Sequence, residues 1–238
     1  MKNRNDKVTY MVTEKYINHE CIYEDDAIKL ADLSENAFFY HLMKRALDIV
    51  LSLLGLIVLS PVFLVIAICI KLESKGPVFY LHSRVGKNGT PLKLYKFRSM
   101  YLNADQMIKD FTPEQMAEWK ENFKLKNDPR ITRIGKFLRR SSLDELPQLL
   151  NILQGNLTIV GPRPVVKEEL EKYGELQDYF LSVTPGLTGY WQAYSRSDCS
   201  YEERMKMELH YIANANLLWD IRIMFKTVSA VLKCRGAH

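Results

Sequence analysis

The run from Ile49 to Ile70 constrains this chain most, because it holds 22 consecutive residues without a charge. As a helix rising 1.5 Å per residue it would be about 33 Å long, enough for the hydrocarbon core of a bilayer. Three details argue against a simple crossing. Ser60-Pro61 lies near its middle, Asp48 stands at its entrance, and basic residues flank both ends, Lys44 and Arg45 before it and Lys71 and Lys75 after. Basic flanks on both sides favour keeping both ends in the cytoplasm. A proline removes a backbone donor and kinks a helix. The pattern predicts a re-entrant membrane hairpin, helix-break-helix about Ser60 and Pro61, which enters one leaflet and returns; a kinked transmembrane helix is the alternative.

The rest of the chain sorts around that run. Residues 1–40 are polar and mixed in charge, with no apolar core near Met1, so they read as a cytosolic leader and not a signal peptide. Residues 41–74 form the hairpin, and 75–238 a cytosolic, membrane-associated domain. With 47% apolar residues the chain can bury a sizeable core. The net charge of +5 is uneven, seven bases against one acid between Lys71 and Arg98, which implies an anionic partner. Four scattered cysteines without C-x-x-C spacing suggest neither a disulfide frame nor a zinc site, and a reducing cytosol is the default.

The densest chemistry lies between Asp128 and Pro164. One adjacent carboxylate pair, Asp144-Glu145, is preceded by Arg130, Arg133, Lys136, Arg139 and Arg140 and followed by Arg163. Guanidiniums grip phosphate through two parallel hydrogen bonds, so the composition suits chemistry on a phosphate ester. Ser142-Leu143-Asp144-Glu145 also fits a capping box, and either helix start places both carboxylates at a helix N-terminus, where the peptide dipoles favour negative charge. Gly161-Pro162-Arg163-Pro164 reads as a rigid turn that fixes Arg163.

Upstream, Val78–Leu81 and Leu92–Phe97 are β-prone runs joined by a loop with Arg84 and an Asn-Gly turn signal. Lys96 and Arg98, two apart on the second run, are expected on one face, where they could meet one anion; a basic membrane-facing edge is the alternative. No phosphate-binding Gly-x-x-x-x-Gly-Lys loop is present. Thr112-Pro113-Glu114-Gln115 reads as a helix start, and Met116, Trp119 and Phe123 as a packing stripe. Ile131, Ile134 and Leu138 oppose Arg133, Lys136 and Arg140, as in an amphipathic helix lying among lipid headgroups. A strand is expected over Leu157–Val160 after a helix ended by Gly155. Residues 201–234 read as helical, their stripe from Leu217 to Val231 packing on the domain, with a dimer contact as the alternative. The fold class is therefore mainly α with a small β-hairpin, built as a monotopic membrane protein with amphipathic interfacial helices.

From Lys44 to the C-terminus, the order of motifs resembles the bacterial sugar transferase family of monotopic polyprenyl-phosphate phosphoglycosyl transferases. The residues that carry the likeness are KRALD at 44–48, SP at 60–61, GPVFY at 76–80, RVGKNG at 84–89, KFRSM at 96–100, NDPRITRIGKFLR at 127–139, SLDELPQ at 142–148, VGPRP at 160–164 and PGLTGYWQ at 185–192. The resemblance implies transfer of a sugar 1-phosphate from a UDP-sugar to a polyprenyl phosphate, with Mg2+ as cofactor, on the cytoplasmic face of a bacterial inner membrane. It implies Asp144 as nucleophile, Glu145 as its partner, both as metal ligands, and Arg84, Lys96, Arg98, Arg130 and Arg163 as phosphate-binding residues. RSD at 196–198, YEER at 201–204 and the closing GAH resemble the branch that handles hexose 1-phosphates. Tyr194, Ser195 and Glu208 depart from that branch, where Ser-Gly and aspartate are usual, which leaves the sugar open between a hexose and an N-acetylated amino sugar. The competing class, a membrane-anchored basic module without catalysis, gives no reason for an acidic pair inside the basic field, since carboxylates would repel bound phosphates. Nucleic acid is therefore not an expected partner; UDP-sugar, polyprenyl phosphate and membrane lipid are.

Overall fold

The computed structural model describes residues 35–122, 125, 127–195 and 199–232. The expectations for the leader before Glu35, for Phe123, for 196–198, for the Val231 side chain and for the closing GAH lie outside the described residues. The first element, α1, runs from Glu35 to Glu73 as one helix with Pro61 inside it. Pro61 cannot donate to the Ile57 carbonyl four residues back, and the Ser60 hydroxyl donates to that same oxygen at 2.8 Å. The dipeptide thus supplies a replacement donor where no water would be available, and the helix is not interrupted as the break predicted at Ser60-Pro61 would have it. Along the apolar run most side chains stay outside the protein core, Val58 being 70% exposed.

Polar contacts dock both flanks of that run onto the same domain. At the first flank Lys44 pairs with Asp220 at 2.5 Å, Arg45 donates to the carbonyls of Ile152 and Leu153, and buried Asp48 accepts from Thr158 Oγ1 at 2.6 Å and the Ile159 N–H at 2.9 Å. At the other, Glu73 accepts from the Arg133 N–H at 2.6 Å. Arg98 donates to the carbonyls of Ser74 and Lys75 at 2.8 and 2.6 Å, where the chain leaves the helix. Gly76 completes that exit. Its φ of +122° suits glycine, and a Cβ there would fall 2.3 Å from the Arg98 guanidinium.

The domain is mainly helical with two small sheets. Strands β1 (Phe79–Val85) and β2 (Pro91–Phe97) form the expected antiparallel hairpin, Val85 opposite Pro91 and Phe79 opposite Phe97. Asn88 at its turn takes a left-handed φ of 53°, a conformation asparagine tolerates. The strand expected near 157–160 is β3 (Thr158–Val160), and its parallel partner β4 (Gly186–Thr188) was not foreseen. Short α2 (Ala104–Met107) precedes α3 (Pro113–Asn122), whose start carries the reciprocal Thr112–Gln115 bonds the sequence suggested.

Helix α4 (Arg133–Ser141) begins at Thr132, whose hydroxyl accepts the Gly135 N–H. Its apolar side packs within the protein, where a lipid-facing side was expected. Leu138 is wholly buried, and it and Ile134 pack with Ile66, Ile70 and Phe97. α5 (Leu149–Gln154) ends at Gly155 as predicted. There follow α6 (Lys167–Leu170), α7 (Gln177–Phe180), α8 (Tyr190–Tyr194), α9 (Tyr201–Asn214) and α10 (Leu217–Leu232). The last two divide the stretch expected to be helical, because Asn216 accepts the Trp219 N–H and starts a new helix. The expected α10 stripe is divided: Met224 packs against a core cluster, whereas Leu218, Phe225 and Val228 are exposed, and the buried Ile223 lies outside the stripe.

Replacing Asp48 with alanine strands the buried Thr158 hydroxyl and the Ile159 N–H. We expect a loss of about 2–4 kcal/mol, read as a lower thermal midpoint of the detergent-solubilised protein. An unchanged midpoint would mean that the docking of α1 does not depend on this carboxylate.

Candidate active site

Asp144 and Glu145 lie in the first turn of a 3-10 helix, Leu143–Gln148, which leads directly into α5. Ser142 does not cap it. At φ 59° Ser142 closes α4 instead, its N–H reaching back to Leu138 and Arg139, so the capping-box reading fails. The left-handed residue turns the chain sharply and presents the two carboxylates beside β2. The segment is seated on α1 at both ends: Leu143 packs against the cluster of Ile66 and Ile70, and Leu149 joins the cluster that Leu56 contacts.

Lys96 at the end of β2 pairs with Glu145 Oε1 at 2.7 Å, and Arg163 Nη2 lies 4.0 Å from the same oxygen. With Arg84, Leu94 and Gln148 these residues line one cleft. Arg163 is held from behind, where its backbone N–H donates to buried Glu208 at 3.1 Å. The turn that carries it is set by β3 against β4, which run so close that a Cβ on Gly186 would meet the Gly161 nitrogen at 2.1 Å.

Two of the arginines expected to bind phosphate are spent elsewhere. Strand β2 ends at Phe97, so the alternation that would return Arg98 to the Lys96 face stops, and Arg98 clamps the exit of α1. Arg130 is buried and forms a bidentate pair with Asp128, at 2.9 and 2.7 Å. Arg139, in the last turn of α4, donates to Ser99 Oγ and lies in the field of Asp144. The residue the sequence reading missed is His82. It precedes Arg84 by two positions on β1 and so shares its face, a signal strand periodicity could have given. Burial and then the charges of Arg84, Lys96 and Arg163 hold its imidazole neutral, lowered to about 4.

The two carboxylates are driven apart. Burial and then the charge of Glu145 push Asp144 up to about 6. Burial would raise Glu145 too, but Lys96 and Arg163 outweigh it and hold that group down at about 2. A pair so split carries one secure negative charge and one that titrates close to neutrality. Among the described residues no group of three or more His, Cys, Asp and Glu side chains forms a metal cage. Two adjacent carboxylates suit Mg2+ all the same, since that ion takes one or two carboxylates and completes its shell with water and substrate phosphate.

A carboxylate dyad among cations, mounted on a helix long and apolar enough to cross a membrane, defines a membrane-associated enzyme site for a phosphorylated substrate. The family model described as bacterial sugar transferase matches residues 39–234, and the chain belongs to that family. It is 46% identical over 198 residues to the exopolysaccharide production protein ExoY of Sinorhizobium fredii, covering 82% of this chain and 88% of that one. It is 45% identical to the undecaprenyl-phosphate galactose phosphotransferase of Salmonella typhimurium, over 82% of this chain and 42% of the relative. With the UDP-glucose:undecaprenyl-phosphate glucose-1-phosphate transferase of Escherichia coli the identity is 41%, over 79% of this chain and 39% of the relative. The chain thus matches less than half the length of the last two.

Lys96→Met removes the cation that does most to hold Glu145 down. The Glu145 carboxyl should rise to at least the ordinary glutamate value of about 4.3, as followed by isotope-edited infrared titration. A carboxyl still ionised at pH well below that would assign its low value to Arg163 and Arg84.

Proposed function

We propose that this protein transfers a hexose 1-phosphate from a UDP-sugar to undecaprenyl phosphate, releasing UMP and opening the synthesis of an exopolysaccharide or capsule-type glycan. The observation that carries the reading is Glu145 facing Lys96, Arg84 and Arg163 across one cleft, with the buried carboxylate of Asp144 next to it in the chain. Relatives named for galactose and glucose transfer support a hexose over an N-acetylated amino sugar.

In this reading an Asp144 oxygen attacks the sugar-bearing phosphorus of the UDP-sugar. The bond from that phosphorus to the bridging oxygen breaks, and UMP leaves with the electron pair. The sugar 1-phosphate is then held as an acyl phosphate on Asp144. An oxygen of undecaprenyl phosphate attacks the same phosphorus, the aspartyl–phosphorus bond breaks, and Asp144 is restored. A carboxylate raised to about 6 remains largely ionised at neutral pH and is a better nucleophile than an ordinary aspartate. Arg84 and Arg163 bind the pyrophosphate oxygens, and Lys96 fixes Glu145. Asp144 and Glu145 are the residues that would hold Mg2+, which supplies neutralisation of pyrophosphate charge. The Leu143 and Leu149 seats limit water, which an acyl phosphate requires.

The reading includes a topology: the chain before α1 as leader, α1 as an uninterrupted re-entrant helix whose two ends stay on one face, and 75–238 as a catalytic domain on the cytoplasmic face of the inner membrane. Docking of Lys44 and Glu73 onto one domain supports it, because a helix crossing the bilayer would put its two ends on opposite sides. The exposed Leu218, Phe225 and Val228 of α10 support a homodimer contact there.

Three measurements test this reading. Wild-type protein given UDP-galactose or UDP-glucose without acceptor should release up to one UMP per chain and carry the labelled sugar phosphate; Asp144→Asn should do neither. Over the acid limb the rate should fall about tenfold per pH unit below about 6, because the protonated carboxyl is not a nucleophile. A profile flat to about pH 5 would remove Asp144 from that role. Separately, Asn36→Cys and Lys75→Cys should both resist an impermeant thiol reagent in intact cells, and labelling of either one would sink the re-entrant topology.

A further inference from the structure

The arginines of the cleft are not independent of each other. Arg84 Nη1 lies 3.4 Å from Glu169 Oε2, and the other oxygen of that carboxylate is 3.9 Å from Arg204 Nη1. Arg204 Nε in turn is 3.7 Å from Glu208 Oε1, the oxygen that accepts the Arg163 N–H. One guanidinium therefore reaches both cleft arginines through two carboxylates. Arg204 is packed against aromatic rings, 4.7 Å from Trp191 and 5.2 Å from Tyr201. Its Nε and Nη2 are buried and have no hydrogen-bond acceptor. Idle donors on a buried cation are costly, and neither carboxylate beside Arg204 is yet within hydrogen-bond range, Glu169 lying 3.9 Å from Nη1 and Glu208 3.7 Å from Nε, so the guanidinium can still draw one closer.

That spare capacity matters because Arg84 has two anions to serve. In the free cleft it leans on Glu169, and an entering phosphate competes with Glu169 for the same guanidinium. Glu169 would then keep only the Val166 N–H at 3.3 Å and Arg204 at 3.9 Å, and its poorly compensated charge would repel the ligand that displaced it. We propose that Arg204 is a positioning residue that takes over Glu169 when a pyrophosphate engages Arg84, so that this carboxylate neither competes with the sugar nucleotide nor repels it. Closing the 3.9 Å gap to hydrogen-bond range needs a movement of only about 1 Å. Glu208 keeps the other side of Arg204 occupied, and Arg163 stays in place during the exchange. The proposal rests on the sugar-nucleotide reading of the cleft.

The test is steady-state UMP release by wild type, Arg204→Ala, Glu169→Gln and the double variant. Arg204→Ala should raise KM for the UDP-hexose about tenfold, the worth of one charge-assisted hydrogen bond, and leave kcat within about twofold. Glu169→Gln should show a KM equal to or below that of wild type, and adding it to Arg204→Ala should restore KM. A purely structural role for Arg204 predicts no such rescue. A double variant as impaired as Arg204→Ala, or a raised KM in Glu169→Gln alone, overturns the proposal; the latter decides the matter even if Arg204→Ala does not fold. Should wild type release no UMP from any UDP-hexose, the functional reading fails instead. Equilibrium binding of UDP to the same four proteins then tests the competition alone, with the same order of affinities expected and its absence counting against the proposal.

Discussion

A long helix of exposed apolar side chains has to be held by a domain whose own core is modest, and the structure depends on how that is done. The apolar middle of α1 contributes little to the core, since most of its side chains face outward. What fixes it is polar. Asp48 and Arg45 take up backbone groups of β3 and α5 at one flank, and Glu73 and Arg98 take up backbone groups at the other. Each of these bonds engages a charged group that is partly or wholly removed from water, so each is costly to break. Side-chain packing adds two seats, near Leu56 and near Ile66 and Ile70, on either side of Ser60-Pro61. The segment between Leu143 and Leu149 spans those two seats and carries the carboxylate dyad. The site is thus mounted on the membrane helix itself rather than on an adjacent lobe.

Charge balance in the cleft follows a different logic. Two neighbouring carboxylates in a half-buried site cannot both ionise unless cations compensate them. Lys96 and Arg163 compensate Glu145, and Asp144 is left without an ion pair of its own among the described residues. The outcome is a division between the two: Glu145 is pinned as a charge, and Asp144 titrates at about 6. Burial, and then the same cations, keep His82 on the Arg84 face of β1 neutral.

Much of this was legible in the sequence, and the failures have physical causes. The uncharged run, the Asn-Gly turn of the hairpin and the Thr112 cap are local patterns of residue type and spacing and appear where expected, although the first strand runs on through Arg84, which the sequence placed in the loop. The arginines could not be partitioned that way. Arg98 and Lys96 share a face only if the strand continues through Arg98, and it stops at Phe97. Arg130 had its partner two residues upstream in Asp128, a local pair that the sequence displayed and that should have been read as one. Ser142 fits a cap by composition, but the sharp turn out of α4 requires a left-handed residue there, and that backbone choice excludes the capping geometry. Lys44 and Asp220 lie 176 residues apart, and no periodicity connects them.

The end of β2 shows why anchor and chemistry cannot be separated. Three consecutive residues divide the work: Lys96 pairs with Glu145, Phe97 packs in the cluster of Ile66 and Ile70, and Arg98 clamps Ser74 and Lys75. A shift of this strand by one residue would turn Lys96 into the apolar cluster and Phe97 towards the carboxylates. The register is fixed by the hairpin behind it, Phe79 opposite Phe97, and by the stacking of those two rings at 5.3 Å. The charge that sets the dyad is therefore held in place by the same packing that holds the helix. A substitution that loosens α1 in this region should disturb the ionisation of Glu145 before it unfolds the domain.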